Sequence, residues 1–407
     1  MLIPSLIQAS VLYLPGALAA DGFLPANLET KPVWKRIAIR TALGLALGLV
    51  LNAWGAFILG SLGMWNGANS LLFPWVPALL LWAVARGPRG RSWRELIMGW
   101  GIACAVFVLV HWIPTRSEWM LGGWDPGIYT NEALQLVRTG SLVGDVHSFA
   151  QALGEEALAP AIRSLDTHAE LFPGVPIEIR SGTVTPAFPR MSVAFFAGVG
   201  RWGGIDGVLK APLVFAVLFL LLGVAWMALS KGGGAQAVAI LVLTVGQPLF
   251  IHYANTPSSE MIELLVLTVC WGVLWIGEGS RRGWILVAIL GMTLAANRTS
   301  FILFGSLGWV GLALWDWIRT DRRQVLIGHG ALGVALWVGH FLLGLVSPVA
   351  IYQLAHVLPR IYGASLILMG GALLLDGLAS IPAIREWGVR VAKRGGRWIL
   401  PAFWVFL

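Results

Sequence analysis

"TALGLALGLVLNAWGAFILGSL", residues 41–62, runs for 22 positions without a charged side chain, and Lys35, Arg36 and Arg40 stand just before it. As a helix it is roughly 33 Å long, enough to cross a hydrocarbon core of about 30 Å. Similar apolar runs lie at about 2–20, 69–85, 96–113, 208–230, 234–251, 259–277, 283–297, 300–315, 325–346 and 361–381, and one more begins at 398. Only 12% of the 407 residues are charged, against roughly 25% in soluble proteins, so most of the surface is expected to face lipid. The runs predict an all-α polytopic membrane protein of about 11–12 transmembrane helices. No basic region and cleavage site of a secretory signal peptide precede the first run. Cys104 and Cys270 fall inside apolar runs and suggest neither a disulfide framework nor a metal-ligand spacing.

Orientation follows from the basic residues. Alternating spans put 19 of the 28 Lys and Arg on one side, among them Lys31, Lys35, Arg36, Arg40, Arg89 and Arg322. That side carries net +11 and the other −3, together the chain's +8. The basic side is read as cytoplasmic, and the positive charge as an orientation signal rather than a nucleic-acid patch. A multi-pass protein of a bacterial plasma (inner) membrane is expected.

One connection is far longer than the rest. Residues 114–207 lie on the outer side and hold most of the outer acids. Near the start of this loop, "GGWDPGIYTNEALQLVRTGSL" (122–142) sets Asp125-Pro126 as an N-cap and first-turn Pro. Tyr129, Ala133, Leu136 and Val137 then recur at helical spacing, predicting a short amphipathic helix on the membrane surface. At the loop's end, "SGTVTPAFPRMSVAFFAGVGRWGGIDG" (181–207) predicts a second interfacial helix at 191–199, returning to the membrane at about Gly207.

Ionisable groups beside a bilayer are costly unless paired or solvated, which makes them functional candidates. Asp125 has Glu118 and Glu132 near it in sequence, and Tyr129 one turn on. "HYANTPSSEMIE" (252–263) carries His252, Tyr253, Glu260 and Glu263; "AANRTS" (295–300) carries Arg298; Arg360 lies farther on, with all three stretches on the outer side. Plain structural readings stand beside these: Asp125 as a cap, Glu260 as helix-start chemistry, and Arg298 as an interfacial arginine. His111, His329 and His340 read as packing residues. A carboxylate base and a cation beside the bilayer suit a lipid-linked phosphate donor, with Asp125 taking the acceptor proton and Arg298 stabilising the departing phosphate.

The two loop motifs resemble those of the integral-membrane type-C glycosyltransferases, a superfamily that includes protein mannosyltransferases, aminoarabinose transferases and oligosaccharyltransferases. "WDPGIYTNEALQLVRTGSL" looks like their acidic motif and interfacial helix, and "TPAFPRMSVAFFAGVGRWGGIDG" like their Pro-rich approach to the next span. The likeness covers mainly residues 114–230. It implies a type-C glycosyltransferase fold with Asp125 as catalytic base and a polyprenyl-linked sugar as donor, transferred with inversion. Many members carry two tandem acids; here Pro126 follows Asp125, which speaks against a metal-dependent variant. Three apolar runs precede the fourth, so the catalytic core would start later than in a minimal member.

The reading is a glycosyltransferase acting on an extracytoplasmic glycan, lipid or protein acceptor, with the bilayer but no nucleic acid as partner. Asp125 would be catalytic, and Arg298, Arg360 and His252 would bind donor phosphate. Glu260 and Glu132 are secondary acids; Tyr129 and Tyr253 would contact acceptor or carrier. No cofactor is assigned, with a divalent cation left open. Residues 1–95 and 321–407 would be flanking helices around a core at 96–320. The alternatives are a transporter or lipid flippase, and an enzyme of the O-antigen polymerase or ligase type.

Overall fold

The computed structural model describes residues 2–24, 26–84, 93–114, 125–145, 163–164, 169–172, 175–178, 183–184, 189–229, 233–276, 281–318, 322–347, 355–387 and 390. Among them, seven helical segments are long and apolar enough to cross a membrane, or eight if one sharply bent pair forms a single span. The chain is a polytopic helical membrane protein.

Helix α1 (Leu2–Phe23) packs along α2 (Val33–Ser61), the helix that contains the 41–62 run. Their contact is set by small residues. A Cβ on Gly16 would overlap the Gly44 carbonyl, and one on Gly48 would overlap the Leu12 carbonyl. Glycines at this spacing bring two backbones into direct contact, a common device where lipid supplies no hydrophobic drive between helices. Short helices α3 (Gly67–Leu72) and α4 (Trp75–Val84) follow, and α5 (Trp93–Trp112) packs against α1 and α2.

The start of this assembly is tied by charge. Arg40 pairs with Glu95, with Glu29 (2.5 Å) and with Asp21 (3.5 Å), while Arg36 pairs with Glu95 (2.5 Å) and Glu29 (3.6 Å). Arg36 and Arg40 therefore belong to α2 and to a partly buried ion network, rather than to a solvated basic loop.

Helix α6 (Asp125–Thr139) starts at the predicted cap and stops at Gly140, whose φ of 75° ends the helix. Its predicted amphipathic pattern is present, but its destination differs. Tyr129, Ala133 and Leu136 are buried against protein, chiefly the next helix, with Asn131, Arg138 and Thr139 outward. Five short strands follow: β1 (Gly144–Asp145), β2 (Arg163–Ser164), β3 (Ala169–Phe172), β4 (Val175–Glu178) and β5 (Thr183–Val184). They form an antiparallel sheet in the order β1-β5-β4-β3-β2. This sheet is absent from the sequence reading, because strands of two to four residues leave no usable alternation.

Helix α7 (Arg190–Leu229) is a hairpin rather than a single rod. Gly204, with φ 62° and ψ −144°, breaks it into limbs at 190–203 and 205–229. Phe215 of the second limb packs on Phe195 (ring centroids 6.0 Å apart) and Phe196 (5.6 Å) of the first. In a straight helix those rings would stand about 30 Å apart. The second limb alone is about 25 residues and can span. The first limb is the predicted interfacial helix, but residues 190–200 are all buried in protein rather than resting on a lipid surface.

Beyond it come α8 (Gly233–Val245), α9 (Pro248–Asn255), α10 (Ser259–Ile276), α11 (Arg281–Asn297), α12 (Phe301–Ile318), α13 (Arg322–Val346) and α14 (Leu358–Ala379). The predicted run 234–251 is divided by the Gly246–Gln247 break into α8 and α9, and α9 and α10 meet at 108°. Over the described residues, the runs at 283–297 and 300–315 form apolar helices of 10–17 residues, 282–297 and 301–313. The run beginning at 398 lies outside the described residues. α13 packs along α11, and α14 against α12.

Candidate functional site

One end of the bundle collects the polar side chains. Its framework is the turn after α2, the end of α6 and the α7 bend. Trp65 N–H donates to the Gly140 carbonyl (3.2 Å), Leu142 N–H to Gly60 (2.9 Å), and Arg201 Nη1 to Val137 (2.7 Å) while its guanidinium lies 5.2 Å from the Trp65 ring centroid. Lys210 reaches the His111 carbonyl at the end of α5 (2.6 Å) and pairs with Asp206 (2.9 Å).

Glu260 and Glu263 come from the first turns of α10. A spacing of three puts both on one face, and the helix N-terminus favours the acids. Arg298 follows the last residue of α11, in a turn closed by its own carbonyl accepting from Phe301 N–H (3.0 Å). This places its guanidinium over α10, with Nη1 3.2 Å from Glu260 Oε1 and 3.5 Å from Glu263 Oε1. Partial burial works against the charged guanidinium, but Glu263 and then Glu260 outweigh it and hold its pKa above the usual value. Tyr129 of α6 is buried against Phe196 (5.8 Å) and also acts electrostatically on Arg298. Ser192 Oγ donates to Asn297 Oδ1 (2.8 Å), fixing the first limb of α7 against the end of α11.

Glu132 faces the same limb. The residue is half-buried as a whole, yet both carboxylate oxygens are shielded and have no hydrogen-bond partner. Burial pushes its pKa up to about 8, with the positive charge of Arg190 pulling the other way. Arg190 opens α7; it is buried, and its N–H donates to Ser347 Oγ (3.1 Å) at the end of α13.

Of the sequence candidates, Arg298, Glu260 and Tyr129 are brought together, and Glu132, on the same helix as Tyr129, lies near Arg190 instead. Asp125 is the first residue of α6, but its side chain lies outside the described residues, as does Glu118. His252 and Tyr253 are on α9, across the 108° bend, where their rings meet edge to face (5.2 Å) without a polar contact to the Arg298 group. Arg360 is exposed in the first turn of α14, also without a contact to that group among the described residues. Among the described residues no group of three or more His, Cys, Asp or Glu could hold a metal ion.

Each of the three apolar-span histidines has one ring nitrogen within hydrogen-bond distance of a neighbour. His111 Nδ1 is 2.8 Å from the Phe107 carbonyl, His340 Nε2 is 2.7 Å from Tyr362 Oη, and His329 Nδ1 is 2.8 Å from Asp376 Oδ2. Sequence reasoning passed over Arg190, Ser192 and Asn297. The signal for Arg190 was a guanidinium at the head of an otherwise apolar helix.

The fold and this cluster define a class: a polytopic helical membrane protein with an ionisable site at one end of its bundle. No family model matches the chain, and no curated protein or solved structure matches it.

Proposed function

We propose that the chain is an inner-membrane glycosyltransferase that moves a sugar from a polyprenyl-linked phosphate donor to an extracytoplasmic acceptor. The observation that carries this reading is two ionisable groups at one end of an apolar bundle, Arg298 with Glu260 and Glu263 and Arg190 near Glu132 of α6, tied to one another through the Ser192–Asn297 hydrogen bond. Transfer from such a donor needs a base for the acceptor hydroxyl and a cation for the departing phosphate. Asp125, at the head of α6, is assigned the base, and one guanidinium group of the site supplies the cation. The donor's tail explains why the site belongs at a lipid boundary. The charge pattern of the loops supports placing this end outside the cytoplasm.

The test is mass spectrometry of lipids carried through purification of the full chain. Enrichment of a polyprenyl phosphate, or of its sugar-bearing form, over the bulk membrane is expected; ordinary phospholipid alone would withdraw the reading. A second reading, a transporter or flippase, is favoured by the 108° break between α9 and α10, since broken helices recur at transporter binding sites. Turnover of donor to glycosylated product separates the two.

A further inference from the structure

The two guanidinium groups of the site are not equivalent. Arg298 is 42% exposed in its side chain and is held by two carboxylates. Arg190 is only 6% exposed; its Nε has no partner, and among the described residues no carboxylate stands within 4.0 Å of it. Its backbone is fixed instead, by the hydrogen bond to Ser347. The one described charge that acts on Glu132 is Arg190, yet the two make no ion pair, and neither Glu132 oxygen has a hydrogen-bond partner. A buried cation and a buried carboxyl, near enough to feel each other but not in contact, are both expensive to keep in this state. Such an arrangement is compensated by a ligand that supplies an anionic oxygen to one and an acceptor to the other.

We infer that Arg190, rather than Arg298, is the anion-binding residue of this site, receiving phosphate oxygens through its guanidinium fork while Glu132 in its acid form donates a hydrogen bond to the same group. The planar fork suits two phosphate oxygens at once. Burial keeps Glu132 protonated near neutral pH, so it does not repel the anion. Arg298, already neutralised by Glu260 and Glu263, is left as a tie between α10 and the α11–α12 turn. The identity of the phosphate as a lipid headgroup rests on the transferase reading; the anion site itself does not.

The experiment uses the purified full chain in detergent, a short-chain prenyl phosphate as probe, and the matching prenyl alcohol and inorganic phosphate for comparison. Binding and thermal unfolding are followed by tryptophan fluorescence. The wild type is expected to bind the prenyl phosphate and not the alcohol. Arg190→Gln should weaken binding roughly ten- to a hundredfold, as loss of a charge-assisted hydrogen bond does. It should also raise the unfolding temperature of the ligand-free protein, because it removes a buried charge that no carboxylate pairs with among the described residues; a merely structural arginine would lower it. Arg298→Gln should change affinity by less than about threefold, since its charge is already matched.

Unaltered affinity in Arg190→Gln, a lowered unfolding temperature or failure to fold, or loss of binding in Arg298→Gln instead, overturns the assignment. If the prenyl phosphate binds fully to Arg190→Gln, this inference falls while the lipid-donor reading stands. If inorganic phosphate binds as well as the prenyl phosphate and with the same dependence on Arg190, the anion site stands and the lipid donor falls. Binding of neither phosphate by the wild type removes the site.

Discussion

Ser192 Oγ donates a 2.8 Å hydrogen bond to Asn297 Oδ1, and both side chains are fully buried. This contact joins the first limb of α7, which carries Arg190, to the end of α11, directly before Arg298. Ser192→Ala leaves a buried amide oxygen without its donor and should cost about 1–3 kcal/mol. A lowered unfolding temperature is expected, together with weaker binding of the prenyl phosphate. Unchanged values in both would show that the two helices hold their places without it.

Glu132 gives the protein a pH dependence of definite sign. Its carboxyl titrates near 8 in the folded chain, above the ordinary value of 4.5. Between these values the folded state holds a proton that the unfolded state has lost, so this group makes stability fall as pH rises from about 4.5 to 8. Arg190 is the one described charge acting on it. Unfolding temperatures compared at the two ends of that range should differ less in Glu132→Gln than in the wild type. An equal difference in both proteins would assign the dependence elsewhere.

The α7 hairpin separates two kinds of glycine cost. A Cβ at Gly204 meets nothing within 4 Å, so Gly204→Ala pays only for φ 62°, ψ −144°, a backbone region nearly exclusive to glycine, at about 1–3 kcal/mol. At Gly200 the added carbon collides with Val208 across the bend, so Gly200→Val should force the limbs apart and cost more than Gly204→Ala. The reverse order in thermal unfolding would show that the limbs open readily.

Asp125→Asn should abolish sugar transfer while leaving the unfolding temperature within a few degrees, because Asn is as favourable as Asp at a helix start. Retained transfer would remove Asp125 as the base.

Sidedness can be read with cysteines placed at positions 145 and 90. Asp145→Cys, in β1, should react with an impermeant thiol reagent from outside intact cells, and Gly90→Cys only after the cytoplasm is opened. The opposite pattern would invert the protein and the site with it.

The membrane character of the chain was legible because long apolar runs announce themselves residue by residue. The start of α6 was legible too, since Asp125-Pro126 is a local signal. What escaped reading depends on contacts distant in sequence or on conformation at one residue. Nothing in "GVGRWGGIDG" distinguishes a fold-back at Gly204 from a return to the membrane about one turn later. The apolar face of α6 was equally suited to lipid or to Phe196. Arg190 and Arg298 look alike as letters; only their neighbours, drawn from α6 for Arg190 and from α10 for Arg298, divide their roles.

The network of Asp21, Glu29, Arg36, Arg40 and Glu95 bears on how the protein is made. Arg40 and Glu95 are separated by 55 positions, so α2 is synthesised and handed to the bilayer well before its principal counter-charge leaves the ribosome. Until α5 arrives, Arg40 has only Asp21 and Glu29 of this network to pair with, and the α1–α2 pair lacks the carboxylate that bridges Arg36 and Arg40. Nascent chains halted before residue 93 should therefore sit differently in the membrane and fall to proteolysis sooner than chains carrying α5. Biogenesis at this end is then a delayed locking step, set by translation rather than by helix packing alone.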